Sequence, residues 1–261
     1  MKGLLDDRKQ KILQFIAGHE SMSVKELSKL LHVSEATIRT DLDVLAENGK
    51  IVRFHGGAHL IENRYKQEYD YQIRKNLNYI KKQQIGKLAA TLVDDNDSIL
   101  LDASTTSLAM AQALRSRDYL RDVTVIPLGI WTAVEFLGYE NFNIMIPSGY
   151  MRHKSASITG VHTLDFFNGL FLQKAFLGAW GVSLEQGLTD RHLQEVELKR
   201  MVIERTKEII ILVDGSKFNQ SGLASFAPVE RISKIVTDDS APADVIEKFK
   251  ELGIEVIIAK D

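Results

Sequence analysis

Two helical repeats of hydrophobicity, joined by only two residues and followed by a glycine-punctuated β pattern, constrain this chain more than any other feature. Ser23-Val24-Lys25-Glu26 has the spacing of a capping box. In such a box the Ser hydroxyl accepts from the third backbone N–H of the helix, and the Glu carboxylate accepts from the Ser N–H. Val24, Leu27, Leu30 and Leu31 follow at helical spacing and define one apolar face. His32-Val33 breaks the pattern, and Ser34 is a second N-cap in front of a helix over residues 35–45. On a wheel of about 100° per residue, Ile38, Leu42 and Leu45 of that helix must face a core, while Ala36 and Thr40 point away, flanked by Thr37 and Arg39. An earlier helix over residues 8–17 offers Ile12, Leu13 and Ile16 to complete a three-helix core.

One helix braced against another, with a small, hydroxylated outer face and a single guanidinium, suits entry into the major groove of DNA. Amphipathic helix pairs also occur in proteins that never meet DNA, so the continuation decides. Asn48-Gly49 is a turn signal, Ile51-Val52-Arg53 a short β run, and His55-Gly56-Gly57 a second turn before Ala58-His59-Leu60. Together they predict a β-hairpin wing beside the helices. The candidate DNA contacts are Ser34, Ala36, Thr37, Arg39 and Thr40 on the outer helix face, with Arg53 and His55 on the wing placed for a phosphate or the minor groove.

Thr37-Ile38-Arg39-x-Asp41-Leu42, then Gly49-Lys50-Ile51-x-Arg53 and His55-Gly56-Gly57-Ala58, resemble the DeoR-type repressors of bacterial sugar metabolism. The family often carries two adjacent basic residues in the recognition helix; here Thr40 follows Arg39, which implies fewer charge contacts from that helix.

Charge and composition set bounds on the rest. The 261 residues carry a net charge of −2, with 44% hydrophobic and 26% charged residues, the profile of a soluble globular protein long enough for one small and one ordinary domain. Residues 1–60 contain nine Lys and Arg against eight Asp and Glu, a net of +1, so non-specific attraction to DNA is expected to be modest and pairing of two copies becomes important. No run of about 18 apolar residues exists, so no membrane span or membrane partner is expected. The amino end lacks the apolar core of a signal peptide. Cysteine is absent, which removes disulfides and thiolate metal sites and fits a cytoplasmic location. No metal or other cofactor is implied.

Residues 62–75 are rich in charge and Tyr with no Gly or Pro, the composition of a partly helical connector. A helix over 79–93 follows, with Ile85, Leu88, Ala89 and Leu92 on its apolar side and Lys81-Lys82 on a solvated face. From Asp97 onward, candidate strands at 98–101, 123–126, 142–146, 174–177, 209–213, 234–236 and 254–258 alternate with helical stretches near 105–116, 130–138, 157–170, 191–206 and 242–252. Such alternation predicts βαβ units and a mostly parallel sheet, hence an α/β fold. The expected division is a winged helix-turn-helix domain over 1–60, a connector over 61–77 and an effector domain over 78–261.

Ligands of such sheets sit at the carboxyl ends of strands, where helix N-termini present N–H groups. Asp102-Ala103-Ser104-Thr105-Thr106-Ser107 is a hydroxyl-rich turn from strand to helix, readable as a phosphate cradle or as an ordinary N-cap. Pro147-Ser148-Gly149-Tyr150-Met151-Arg152 offers Arg152 for bidentate phosphate binding or for a surface ion pair. Gly178-Ala179-Trp180-Gly181 and Gly187-Leu188-Thr189 are glycine-rich turns near a strand end, and Glu195 and Lys199 have the i, i+4 spacing of a helix-stabilising pair. In Asp214-Gly215-Ser216-Lys217, Asp214 could take a sugar hydroxyl and Lys217 a phosphate, or both could belong to a charged turn facing water.

The order and spacing of these elements resemble the effector domain of the DeoR type over nearly all of residues 78–259, a domain similar in fold to sugar-phosphate isomerases and transferases. The resemblance implies a regulator, expected to be a homodimer or homotetramer, that binds operator DNA and a phosphorylated sugar. The effector residues implied are Asp102, Ser104, Thr105, Thr106, Arg152, Gly181, Glu195, Asp214 and Lys217. The alternative is an isomerase-like enzyme with a fused DNA reader, in which Glu195, Asp214 and Lys217 would serve as base and oxyanion donor. A fused reader favours sensing over turnover, and no catalytic residue is expected.

Overall fold

The computed structural model describes residues 2–17, 22–48, 50–54, 56–60 and 71–260. It divides into two compact units, residues 1–79 and 80–261.

The first unit begins with helix α1 (Lys2–Ala17), six residues longer at its amino end than the periodicity predicts. Strand β1 (Met22–Ser23), helices α2 (Val24–Leu31) and α3 (Glu35–Glu47), and strands β2 (Ile51–Phe54) and β3 (Gly57–Leu60) follow. Ile12, Leu13, Ile16, Val24, Leu27, Ile38, Leu42 and Leu45 share one buried core. Leu30 departs from expectation: it is 48% exposed, while Val24 and Leu27 are buried and Leu31 packs against the core. The wing is a three-stranded antiparallel sheet in the order β1-β3-β2, so Met22-Ser23 adds a strand that hydrophobic alternation could not reveal in two residues. His55, expected at the wing tip, lies outside the described residues, as do residues 61–70 of the connector expected over 61–77. Beyond it, helix α4 (Tyr71–Asn76) buries Tyr71 and Ile73, and Ile73 joins the core of α1–α3.

The second unit is built on a seven-stranded sheet whose strands are β4 (Ser98–Leu101), β5 (Val123–Pro127), β6 (Phe142–Ile144), β9 (Leu172–Leu177), β12 (Thr206–Leu212), β14 (Lys234–Asp238) and β15 (Glu255–Ala259). Their order is β15-β14-β12-β9-β4-β5-β6. Every neighbouring pair is parallel. Side chains alternate strictly between the two faces. Leu100, Ile209, Ile211, Ala175 and Leu177 enter one core, and Ile99, Leu101, Ile210, Leu212 and Phe176 the other. Helices cover both faces, as a parallel sheet requires: α5 (Tyr79–Ala90), α6 (Thr105–Leu114), α7 (Ile130–Val134), α8 (Val161–Phe166), α9 (Leu193–Glu204) and α10 (Ala243–Glu251).

All seven strands stand where the sequence pattern predicts them, and they form this one sheet. Two smaller additions were not legible. Strands β10 (Gly181–Ser183), β11 (Gly187–Asp190) and β13 (Ala224–Ala227) form an antiparallel sheet, and β7 (Tyr150–Met151) pairs with β8 (Ile158–Thr159). The helix expected over 157–170 is therefore corrected. Ser157 and β8 are extended, and Gly160 at φ 120° separates them from the short α8. Lys81 and Lys82 also differ from a solvated face: Lys81 pairs with Asp238 at 3.3 Å, and Lys82 is buried.

The chain runs outward from β4 through β5 to β6, then returns to the other side of β4 to begin β9. The carboxyl ends of β4 and β9 thus flank the switch point of the sheet, where doubly wound folds open a ligand crevice.

Helix α5 crosses α6 at Gly86, where an added Cβ would lie 2.6 Å from the backbone C of Ala109 and N of Met110. Because backbone cannot yield as a side chain can, Gly86→Ala is expected to destabilise this unit by about 1–3 kcal/mol. Trp131 and Trp180 are the only two tryptophans and both belong to it, so urea unfolding followed by Trp fluorescence checks the shift.

Candidate functional site

In the first unit, side-chain caps set the angle between α2 and α3. The Ser23 N–H donates to Glu26 Oε2 at 2.8 Å and the Glu26 N–H to Ser23 Oγ at 3.2 Å, closing the expected box. His32 ends α2 in the left-handed region at φ 53°, and Ser28 Oγ donates to the Val33 carbonyl at 2.6 Å across the turn. Ser34 then caps α3 by accepting from the Thr37 N–H at 3.1 Å.

Ile38 and Leu42 are fully buried, which turns Ser34, Ala36, Arg39 and Thr40 outward and leaves Thr37 half-buried. Thr40 Oγ1 donates to the Ala36 carbonyl at 3.1 Å, and Thr37 Oγ1 lies 2.8 Å from Ser34 Oγ. Arg39 rests on Glu35 at 3.2 Å with its side chain 61% exposed, a weak tether that a phosphate or base edge can replace.

Three of the four acids of α3, Glu35, Asp41 and Asp43, each meet a cation. Asp41, which is buried, accepts from Arg8 Nη2 at 3.0 Å and from Arg8 Nε, so it fastens α3 to α1. Asp43 accepts from Arg53, which also donates to the Arg39 carbonyl at 3.2 Å. Arg53 is therefore a clamp between wing and α3 in this structure, a different position from the outward reach expected of it.

In the second unit, buried polar groups converge on the ends of β4 and β9. Asp102 Oδ1 accepts from the Ser104 N–H at 3.0 Å and Ser107 Oγ at 2.6 Å. Its Oδ2 accepts from the Gly178 N–H at 2.8 Å across the switch point and faces Lys199 Nζ at 3.2 Å. Burial by itself would push this carboxyl up; the Lys199 charge and the hydrogen bonds from Ser107 and Ser104 outweigh it and hold it below the ordinary Asp value. Lys199 Nζ also donates to Asp190 at 2.8 Å and to the Gly178 carbonyl at 2.7 Å. Its burial would lower its pKa, but the charges of Asp190, Asp102 and Glu195 raise it well above the usual lysine value.

Ser104 is extended at φ −77°, so the Ser at this turn carries no strain; it caps α6 by accepting from the Ser107 N–H at 3.0 Å. Thr105 and Thr106 open α6 with buried side chains. At Gly178 an added Cβ would come within 2.7 Å of Ser104 Cβ, so the strand ends touch only because this residue is glycine. Gly181, by contrast, is a β10 residue packed beneath the Gln220 carbonyl, 2.0 Å from where its Cβ would be.

Glu195 and Lys199 are no pair in this structure. Glu195 instead accepts from Arg152 Nη1 and from Ser157 Oγ at 2.7 Å. The 152–159 segment reaches it because the Ile130 N–H donates to the Ala156 carbonyl at 3.0 Å and Ile158 N–H to the Leu128 carbonyl at 2.8 Å. Beside the crevice, the Trp180 ring carries Arg191 at 4.2 Å and Lys217 at 5.0 Å from its centroid. Asp214 caps its own turn, accepting from the Ser216 N–H at 3.0 Å. Asp238 repeats the Asp102 arrangement: it accepts from the Ser240 N–H at 3.0 Å and, across strands, from the Gly215 N–H at 2.8 Å. Burial would raise its pKa; the Ser240 and Gly215 hydrogen bonds and Lys81 lower it below the ordinary value.

Sequence reasoning singled out Gly178 as part of a glycine-rich turn and Lys199 only as a helix partner of Glu195, and it missed Asp190, Ser155, Ser157 and Arg191. One signal was readable: Asp-x-Ser recurs at 102–104, 214–216 and 238–240, each time at the end of a strand.

Residues 8–64 match the DeoR-like helix-turn-helix domain, and residues 77–239 match the DeoR C terminal sensor domain. The chain belongs to the DeoR family of transcriptional regulators. It is 34% identical to the HTH-type transcriptional regulator GolR of Listeria innocua over 97% of this chain and 98% of that protein. It is 30% identical to the putative aga operon transcriptional repressor of Escherichia coli O157:H7 over 97% and 93% of the two chains. Among solved structures, ribose 5-phosphate isomerase A of Methanocaldococcus jannaschii is similar over 54% of this chain and 55% of that one, at a TM-score of 0.41 and 21% identity.

A DeoR-family regulator acts by binding, and the chain is not an enzyme. Of the groups considered for isomerase chemistry, Glu195 is paired with Arg152, Asp214 caps its own turn and Lys217 lies over the Trp180 ring. Among the described residues, no helix is long and apolar enough to cross a membrane.

Removing the cation from this cluster leaves Asp102 and Asp190 buried without compensation, so Lys199→Met is expected to cost about 3–5 kcal/mol of sensor-domain stability in urea titrations. Because the folded pKa values of Asp102 and Asp238 are depressed, their contribution is complete above the unfolded value of about 3.9 and is lost as pH falls through the folded value. Asp238→Asn is accordingly expected to flatten the acid limb of stability against pH, below about pH 4, with little change in its shape near neutrality.

Proposed function

We propose that this regulator is a repressor of a sugar-metabolism operon, released or engaged by a phosphorylated sugar bound at the carboxyl ends of β4 and β9. The crevice itself is the observation that carries this reading. There the amino end of α6 and the Gly178 backbone face one another at the switch point of a parallel sheet, with Arg191 and Lys217 alongside. Helix N-termini and nearby cations bind phosphate oxygens well. The family's sensor domain and the repressor role named for the Escherichia coli relative support the reading of an effector-controlled repressor.

Within this reading the Ser104–Thr106 turn takes the phosphate and Lys217 neutralises it. Asp102 and Asp214 act indirectly, by fixing the turns that carry Ser104 and Lys217. Arg152, Glu195 and the Ser155–Ser157 hydroxyls form the far wall, suited to sugar hydroxyls. Gly181 keeps the small antiparallel sheet close beneath Trp180. On the DNA side, Ser34, Ala36, Thr37, Arg39 and Thr40 meet the major groove, Arg53 holds the wing to them, and His55, between β2 and β3 in the sequence, is a further candidate for a phosphate or the minor groove. The working unit is a homodimer or homotetramer in the cytoplasm, since a two-fold operator is read by paired modules. Effector coupling of about 1–3 kcal/mol would change operator affinity roughly 5–150-fold.

Fluorescence anisotropy on the DNA upstream of the protein's own coding region, with and without a panel of sugar phosphates, tests the proposal. Affinity that is independent of DNA sequence and unmoved by every sugar phosphate would overturn it. Arg39→Ala is expected to weaken operator binding by about 1–3 kcal/mol, selectively if it reads a base and uniformly across sequences if it holds a phosphate. Lys217→Ala is expected to abolish the effector response while operator affinity without effector stays unchanged.

A further inference from the structure

Eight of the eighteen large hydrophobic side chains that lie exposed among the described residues fall within positions 131–161. The packing brings six of them to one edge of the sensor sheet. Trp131, Val134 and Leu137 recur at three-residue spacing along α7 and the turn after it, beside the edge strand β6. Ile146 follows β6, and the β7–β8 hairpin carrying Tyr150 and Met151 is docked by backbone hydrogen bonds onto the segment that leads into α7. Trp131 is 45% exposed and the other five are 50–75% exposed.

Charge is absent from the same stretches. Residues 124–134 and 141–151 contain no Asp, Glu, Lys, Arg or His. The opposite sheet edge, β15, is different in kind, flanked by the charged Glu255 and Lys260. Apolar, aromatic- and Met-rich composition with charge excluded is the signature of the core of a protein interface. Exposed patches on monomers rarely exceed a few hundred Å². With about 100 Å² for each half-exposed large side chain, the six residues present roughly 600 Å², the lower end of what one partner contributes to a standard interface.

We infer that this face, formed by α7, the end of β6 and the β7–β8 hairpin, is where a second copy of the chain docks. A two-fold contact sets a surface against itself, so the uncharged stretches 124–134 and 141–151 can meet without like-charge repulsion, while Arg152, His153 and Lys154 of the hairpin turn and Glu135 after α7 supply charges of both signs at the rim. A second copy also answers the small net charge of the DNA-reading end, which needs two modules for affinity. The inference rests on the oligomeric part of the function proposed above.

Sedimentation of the full-length protein tests it, with Leu137→Glu and Tyr150→Glu on the face and Leu252→Glu, on the exposed end of α10, as the control. The expected result is a self-associated wild type and control, with both face variants shifted to monomer and their operator affinity reduced more than tenfold. A monomeric wild type overturns the inference, as does undiminished association of the face variants. If the charged variants fail to fold, thiols placed singly by Tyr150→Cys and Leu252→Cys in this cysteine-free chain decide. Slower maleimide labelling at 150 than at 252 supports the face, and equal labelling overturns it. Operator anisotropy on the wild type separates the two readings: specific, effector-sensitive binding together with undiminished association of the face variants fails this inference alone.

Discussion

The sensor domain depends on one buried contact, that of the Asp102 carboxylate with the Gly178 N–H and Lys199. The strands that meet at a switch point are not consecutive in the chain, and nothing local brings their ends together. Here a single carboxylate does so. One oxygen organises the turn that starts α6, while the other accepts from the backbone of the neighbouring strand and from the Lys199 ammonium. A carboxylate at 1% exposure would be costly without such partners. With them, its ionised form is favoured in the fold, and α9 is pulled onto the crevice through Lys199.

The same device recurs at β14, where Asp238 joins its own turn to Gly215 of the adjacent strand, and in part at β12, where Asp214 caps the turn carrying Lys217. The carboxyl edge of the sheet is thus held by a row of acids engaged with backbone. This explains why Asp102 and Asp214, which look ligand-directed in the sequence, are engaged with the backbone of their own turns.

How much was legible in the sequence follows from which interactions are local. The seven strands of the main sheet declare themselves as apolar runs buried on both faces, and the capping box at Ser23 and Glu26 needs only residues three apart. The outward face of α3 follows from the burial of Ile38 and Leu42. Strands β10, β11 and β13 escaped because they are short and held together by pairing across distant segments. The fate of Asp102 turns on Gly178, 76 positions away, and that of Glu195 on Arg152, so spacing alone pointed to the wrong partner for Glu195. Arg53 reads as a free wing cation until the fold sets Asp43 beside it. The family resemblance covered what periodicity could not, placing both domains in order before any contact was known.

The row of strand-end carboxylates also separates two demands that a binding pocket usually makes on the same residues. Its members hold the frame of the crevice largely through main-chain N–H groups, those of Gly178 and Gly215 among them. The residues around the rim, such as Lys217, Arg191 and Ser157, are then at liberty to be exchanged one by one. A scaffold of this kind lends itself to the rapid divergence of sensing specificity, with a new metabolite acquired by substitutions that never touch the frame.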